Sequence, residues 1–391
     1  MRERRRVLAV ASLALFLSVL VWFNYSAVLP SIVEEWGLSG TEAGVIFGAF
    51  QAGYLVGILP AGLLSDRYPP RWVVAVGATG TGIPSLVFAG VADGFALGTS
   101  LRFLSGVFVA GVYVPGMRLL SDWFHEGIRG RAMGIYVGTF EVGSGLSFVF
   151  ATTTAELVDW RAAVALTSAG AVFVAPVVLG LTRDHPDRVR DGGRAVDRSF
   201  VRDGEFLAAV SIYSWHNWEL FGARNWLLPF LIATPAFAAT GSAVLAGLVV
   251  GAMIVMSGLG NVTGGWLSDR IGRPQTISLG LASSALLSAL FWSTVGFGLA
   301  ALVLVTLLYG FVIAMDSAPT STLVTEVVPD NRVGTALSVQ SFVGFSTTVV
   351  SPVVFGIALD RAGYVAAFPT LAAGAAVGLL SVGALVWIRR R

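Results

Sequence analysis

The chain has 391 residues, 55% of them hydrophobic and 12% charged, with a formal net charge of +2. Soluble domains carry about 25% charged residues, so this composition cannot cover a globular surface; it excludes a soluble enzyme and requires apolar side chains to face lipid. Cysteine is absent, all 25 basic residues are arginine, and His125, His185 and His216 stand far apart, which leaves no disulfide, no thiolate nucleophile, no transition-metal site and no reason to expect a cofactor or nucleic acid.

A membrane-crossing helix needs about 20 predominantly apolar residues. Twelve such runs follow one another, at 7–30, 42–64, 72–92, 95–120, 131–155, 161–182, 205–234, 241–267, 274–295, 297–326, 333–358 and 364–388. The first is longer than the apolar core of a secretory leader, about 7–15 residues, and reads as a retained helix. Only Gly296-Phe297-Gly298 separates the ninth and tenth. Arg183 to Gly204, rich in arginine, aspartate and glycine, reads as a solvated linker. It divides a bundle of six helices at 1–182 from a second at 205–391.

Arginine placement orients the chain. With both termini in the cytoplasm, 21 arginines fall inside, two outside (Arg161 and Arg361) and two within spans (Arg102 and Arg224). The expectation is an all-α, multi-pass protein of the plasma membrane with cytoplasmic termini.

The halves also repeat. Gly62-Leu-Leu-Ser-Asp66-Arg67 closes the second span and Gly265-Trp-Leu-Ser-Asp269-Arg270-Ile-Gly-Arg273 closes the eighth, an offset of 203. At an offset of 204, Gly106, Pro115, Gly130 and Ala132 meet Gly310, Pro319, Gly334 and Ala336. Two parallel sets of six spans imply an axis along the membrane normal and a pathway at the interface.

These paired loops resemble the G-x-L-x-D-R-x-G-R hallmark of the major facilitator superfamily, and the resemblance covers the whole chain. The second copy is complete, whereas Pro69-Pro70 replaces the Gly-Arg of the first. Arg102-Phe-Leu-Ser-Gly106-Val-Phe-Val-Ala110 resembles a pattern of proton-coupled members. The Gly-Pro pair of antiporters is missing from span 5, where Gly134, Gly138, Gly143 and Gly145 stand instead. The resemblance implies a twelve-helix carrier working by alternating access, with spans 1, 4, 7 and 10 lining its cavity. It also implies gating by the loops, in which Asp66 and Asp269 latch onto helix N-termini beside Arg67, Arg270 and Arg273. The competing role of those arginines is plain cytoplasmic anchoring.

Five charges lie within spans: Arg102, Glu141, Glu219, Arg224 and Asp316. Each costs at least about 2.5–3.5 kcal/mol at a helix centre, so each should face a partner, water or the protein interior. On span 7, Tyr213, Asn217 and Arg224 share one face, and His216 and Glu219 share the adjacent one. Trp215 lies about 15–20 Å from the cytoplasmic end. Arg224 can offer its fork to an anionic substrate or to a carboxylate on another span, with Asn24 of span 1 expected to face the same region. The substrate pathway is therefore assigned to Arg224, Glu219, Arg102, Asp316, Asn217, Asn24, Tyr213 and Trp215, and proton coupling to Glu219, Glu141 and His216. Simpler roles compete: Arg102 snorkels or pairs with Glu141, Asp316 caps locally, and His216 is a neutral, hydrogen-bonded side chain.

No G-x-x-x-x-G-K-[ST] loop is present, so energy must come from a gradient or from the solute itself. The expected function is secondary active or facilitated transport of a small solute, favouring a small anion with proton coupling, by a chain that works as a monomer in the bilayer. A proton-driven exporter of drugs or hydrophobic compounds is the alternative. A membrane-embedded enzyme lacks a nucleophile–base set here, and a transport-like receptor lacks its long extensions.

Overall fold

The computed structural model describes residues 2–185, 202–329 and 333–391. Most of the expected linker, and Arg332, lie outside the described residues. The helices are α1 Arg2–Trp36, α2 Gly40–Arg67, α3 Pro70–Val91, α4 Phe95–Trp123, α5 Glu126–Leu157, α6 Trp160–Val172, α7 Val174–Leu181, α8 Gly204–Ala233, α9 Pro235–Ala238, α10 Ala243–Ile271, α11 Arg273–Leu290, α12 Leu299–Ile313, α13 Ser317–Glu326, α14 Val333–Ala362 and α15 Tyr364–Arg390. A 3₁₀ turn, Phe291–Gly296, extends α11. No strand forms among the described residues, as expected where lipid leaves backbone groups only internal partners.

Among the described residues, eleven helical segments are long and apolar enough to cross a membrane. The segment expected as the seventh span is α8, 30 residues long. Its polar side chains dilute it, and it is not among the eleven. The sixth expected span breaks at Phe173 into α6 and α7, and the tenth breaks at Ala314–Asp316 into α12 and α13. Apolar residues run unbroken through the first break, whereas polar residues from Asp316 onward mark the second.

Helix ends follow local chemistry. Ser39 and Glu42 form a capping box at α2: the Ser39 amide donates to Glu42 Oε2 (2.9 Å) and the Glu42 amide to Ser39 Oγ (3.2 Å). Asp159, Asp203 and Ser242 accept first-turn amides of α6, α8 and α10. Gly272 (φ 99°) and Gly363 (φ 71°) precede α11 and α15 in the left-handed region that favours glycine.

The chain divides into two compact units, Met1–Leu38 with Ala49–Arg194, and Ser39–Gly48 with Ala195–Arg391. In the first, α1 packs on α5 and α6, and α3 on α4 and α6. Gly53 and Gly57 let backbones approach: a Cβ there would overlap the carbonyls of Phe103 and Val107. In the second, α8 packs on α14 and α15, and α10 on α12. Phe206, Ile212, Leu281, Leu323 and Leu385 belong to its apolar core. Gly260 and Gly264 are pressed against the carbonyls of Phe311 and Met315, beside the break between α12 and α13. Gly44 and Gly48 fit against the carbonyls of Pro352 and Val349, and Asp360 accepts the amides of Gly40 (2.6 Å) and Thr41 (2.8 Å). Gly134 and Gly138, spaced like the others, meet nothing within 4 Å.

Candidate functional site

In the first unit, α4 buries Arg102 against α1. Its Nη1 donates to the carbonyl of Val21 (2.9 Å) and to Asn24 Oδ1 (3.3 Å), and its Nη2 to the carbonyl of Trp22 (3.1 Å). The guanidinium carbon lies 4.3 Å from the Phe50 ring centre, within cation–π range. Asn24 Nδ2 donates onward to Thr167 Oγ1 (3.1 Å) and Ser168 Oγ (3.3 Å), and Ser168 Oγ to Ser85 Oγ (2.7 Å). Arg102 and Asn24 thus belong to one network joining α1, α3, α4 and α6. Glu141 is half-buried on α5.

In the second unit, the faces of α8 diverge. Tyr213 and Asn217 lie against α14, where a Cβ on Gly344 would overlap the Tyr213 ring; Asn217 Nδ2 donates to the Tyr213 carbonyl (2.9 Å). Trp215 lies tilted against Trp218 with ring centres 5.5 Å apart, and Trp218 Nε1 donates to the Thr370 carbonyl of α15 (2.9 Å). His216 and Glu219 share the remaining face, which meets α11 and the break between α12 and α13.

That break supplies Asp316, whose Oδ1 lies 2.9 Å from His216 Nδ1. Its Oδ2 and the hydroxyl of Thr320, one turn on, are buried and make no hydrogen bond among the described residues. Gly280 of α11 permits the approach, since a Cβ there would stand 3.2 Å from Asp316 Cβ. Glu219 is held by hydroxyls: Ser284 Oγ donates to Oε2 (2.7 Å) and Ser288 Oγ to Oε1 (2.6 Å), while Ser288 Oγ and Tyr309 OH stand 2.6 Å apart. His216, Glu219 and Asp316 are each at most 2% exposed, as is Arg224, five residues beyond Glu219 on α8. Neutral hydroxyls can donate to a carboxylate or accept from a carboxylic acid, so the Glu219 cradle suits either protonation state. His216 beside Asp316 adds a second group able to hold or release a proton.

Sequence reasoning missed Ser284, Ser288 and Tyr309. Two hydroxyls four residues apart on one face of an apolar span were the available signal. Among the described residues no cluster of three or more His, Asp or Glu side chains is arranged to hold a metal ion.

The loop motifs fold alike at first and then differ. Ser65 Oγ donates to the Gly62 carbonyl (2.8 Å) and Ser268 Oγ to that of Gly265 (2.7 Å). Asp66 is half-buried and Arg67 exposed at the end of α2. In the second copy Arg273 contacts Asp269 (2.5 Å) and Glu326 (3.2 Å), and Arg270 lies 3.6 Å over the Trp266 ring. Chain direction then turns through Gly272 at positive φ in one loop and through Pro69 at φ −56° in the other.

The family model of the Major Facilitator Superfamily matches residues 11–245 and 220–391. The chain is 26% identical to the "Probable sulfoacetate transporter SauU" of Cupriavidus necator, over 98% of this chain and 93% of that protein. It is 24% identical to the "D-galactonate transporter" of Escherichia coli, over 98% and 96%. Its fold is similar to that of a bacterial homolog of the human lysosomal transporter Spinster, with a TM-score of 0.85 at 16% identity, covering 100% of this chain and 97% of that one.

Proposed function

The chain belongs to the major facilitator superfamily and is an integral membrane transporter of a small solute, and from that premise we propose that its solute is a small organic anion moved together with protons. The observation that carries this reading is the buried set on α8, α11 and the break between α12 and α13, in which Glu219 sits among hydroxyls and His216 beside Asp316. Arg224 supplies the fixed positive charge that selects a carboxylate or sulfonate. Glu219 takes up and releases the coupled proton, with His216–Asp316 as its neighbour in the relay and Glu141 as a second acceptor. Relatives named for sulfoacetate and D-galactonate support an anionic solute.

Transport proceeds by alternating access, α8 forms a twelfth span, both termini lie in the cytoplasm, and a single chain suffices. Asp66 and Asp269, with Arg67, Arg270 and Arg273, gate the inner side. Tyr213, Trp215 and Asn217 shape the path, while Arg102 and Asn24 hold its wall in the first unit.

A thermal-shift panel on the purified protein tests the solute class. Sulfoacetate, D-galactonate and related sugar acids are expected to raise the melting temperature by mass action, and neutral sugars are not. Arg224→Ala is expected to abolish the shift. Stabilisation by neutral or cationic compounds alone contradicts an anionic solute.

A further inference from the structure

In the first unit, the start of α1 and the end of α7 flank an open pocket of about 490 Å³ that none of the foregoing uses. Among the described residues it is lined by Arg2, Glu3, Arg6, Gly180, Leu181 and Arg183, three guanidinium groups against one carboxylate. The volume lies within the range of small-ligand sites, about 300–1,000 Å³.

The wall behind Arg183 is built. Arg71 Nη1 donates to the Thr182 carbonyl (2.9 Å) and Arg71 Nε meets Asp184 Oδ2 (2.8 Å). Trp123 Nε1 donates to the Arg183 carbonyl (3.0 Å), and the Trp123 ring packs edge-on against His185 at 5.1 Å. The backbone after α7 is thus pinned from α3 and α4 through its carbonyls, leaving the Arg183 side chain to line the pocket. Beside this cationic rim lies open apolar surface: Leu181 is 50% exposed, and a Cβ on Gly180 would meet nothing within 4 Å. α1, and α6 together with α7, form segments long and apolar enough to cross a membrane, so their ends stand in the headgroup layer.

We propose that this pocket binds the phosphodiester headgroup of an anionic phospholipid, with its acyl chains lying along the exposed face of α7. Guanidinium forks match phosphate oxygens in a bidentate manner. A zwitterionic lipid would bring its ammonium against three arginines, so the pocket selects lipids whose headgroup keeps a net negative charge. The apolar shelf favours a lipid over free phosphate. The inference depends only on the chain being embedded in a membrane, and it stands or falls apart from the identity of the solute.

The test is titration of the purified full chain with short-chain phosphatidylglycerol, short-chain phosphatidylcholine or inorganic phosphate, read by thermal shift and by lipid retention in native mass spectrometry. Phosphatidylglycerol is expected to bind and stabilise, and the other two are not. Each arginine near a membrane surface contributes about fivefold in affinity, so Arg6→Ala with Arg183→Ala is expected to weaken phosphatidylglycerol binding by about 25-fold. Glu3→Gln, which removes an acid that lines the pocket, is expected to tighten it, and this exposed substitution keeps the test decisive if the double variant fails to fold. Arg390→Ala, at the exposed end of α15, is expected to leave binding unchanged. Equal binding of both lipids, a loss in Arg390→Ala equal to that in the double variant, weaker or unchanged binding in Glu3→Gln, or the same stabilisation by phosphate alone would each overturn the proposal.

Discussion

Arg102 and Glu219 are both buried charges, but the atoms around them differ in kind. Arg102 meets acceptors fixed by the helix backbone, the carbonyls of Val21 and Trp22, which cannot change protonation state. Glu219 meets hydroxyls, which can reverse their donor sense. The first arrangement holds a charge permanently and the second tolerates its loss. Arg102→Lys keeps the charge but cannot span three acceptors. It is expected to destabilise the protein by about 1–3 kcal/mol, seen as a lower melting temperature with solute affinity unchanged. Insertion cost marked Arg102, Glu141, Glu219, Arg224 and Asp316 in the sequence, because a charge in a span needs a reason. Ser284, Ser288 and Tyr309 carried no such mark: hydroxyls are inexpensive in membrane helices, and only packing brings α11 and α12 to Glu219.

At the scale of elements, the break between α12 and α13 is what places Asp316 beside His216. Asp316 and the Ser/Thr run around Pro319 hint at it in the sequence, but not at the contact with His216. Small-residue spacing was legible, but not which glycines matter. Gly264 lies against the Met315 carbonyl at the break, whereas Gly134 faces open space. Gly264→Ala is therefore expected to destabilise by about 1–3 kcal/mol through overpacking. Gly134→Ala is expected to be neutral or to stabilise by up to about 1 kcal/mol through helix propensity. Melting temperatures of the two variants should move apart, and a shared loss would contradict the assignment of Gly264 as a packing notch.

At the scale of the whole molecule, the repeat was readable because two copies of one motif sit 203 residues apart, but the copies do not fold identically. Proline turns the first loop and a left-handed glycine the second, and Asp269 engages Arg273, which reaches Glu326 of α13. Asp269 is largely exposed there, so this ion pair contributes little stability. Asp269→Asn is accordingly expected to slow transport while leaving expression and melting temperature unchanged. Unaltered rates would count against a gating role.

Coupling of solute movement to protons by Glu219 is read out by uptake into proteoliposomes under an imposed pH gradient. With a labelled organic anion such as D-galactonate, the wild-type protein is predicted to accumulate solute above its external concentration and to stop doing so when the gradient is collapsed. Glu219→Gln is predicted to lose accumulation yet retain exchange of solute for solute. Undiminished uphill uptake without the gradient, or by Glu219→Gln with it, would contradict the account.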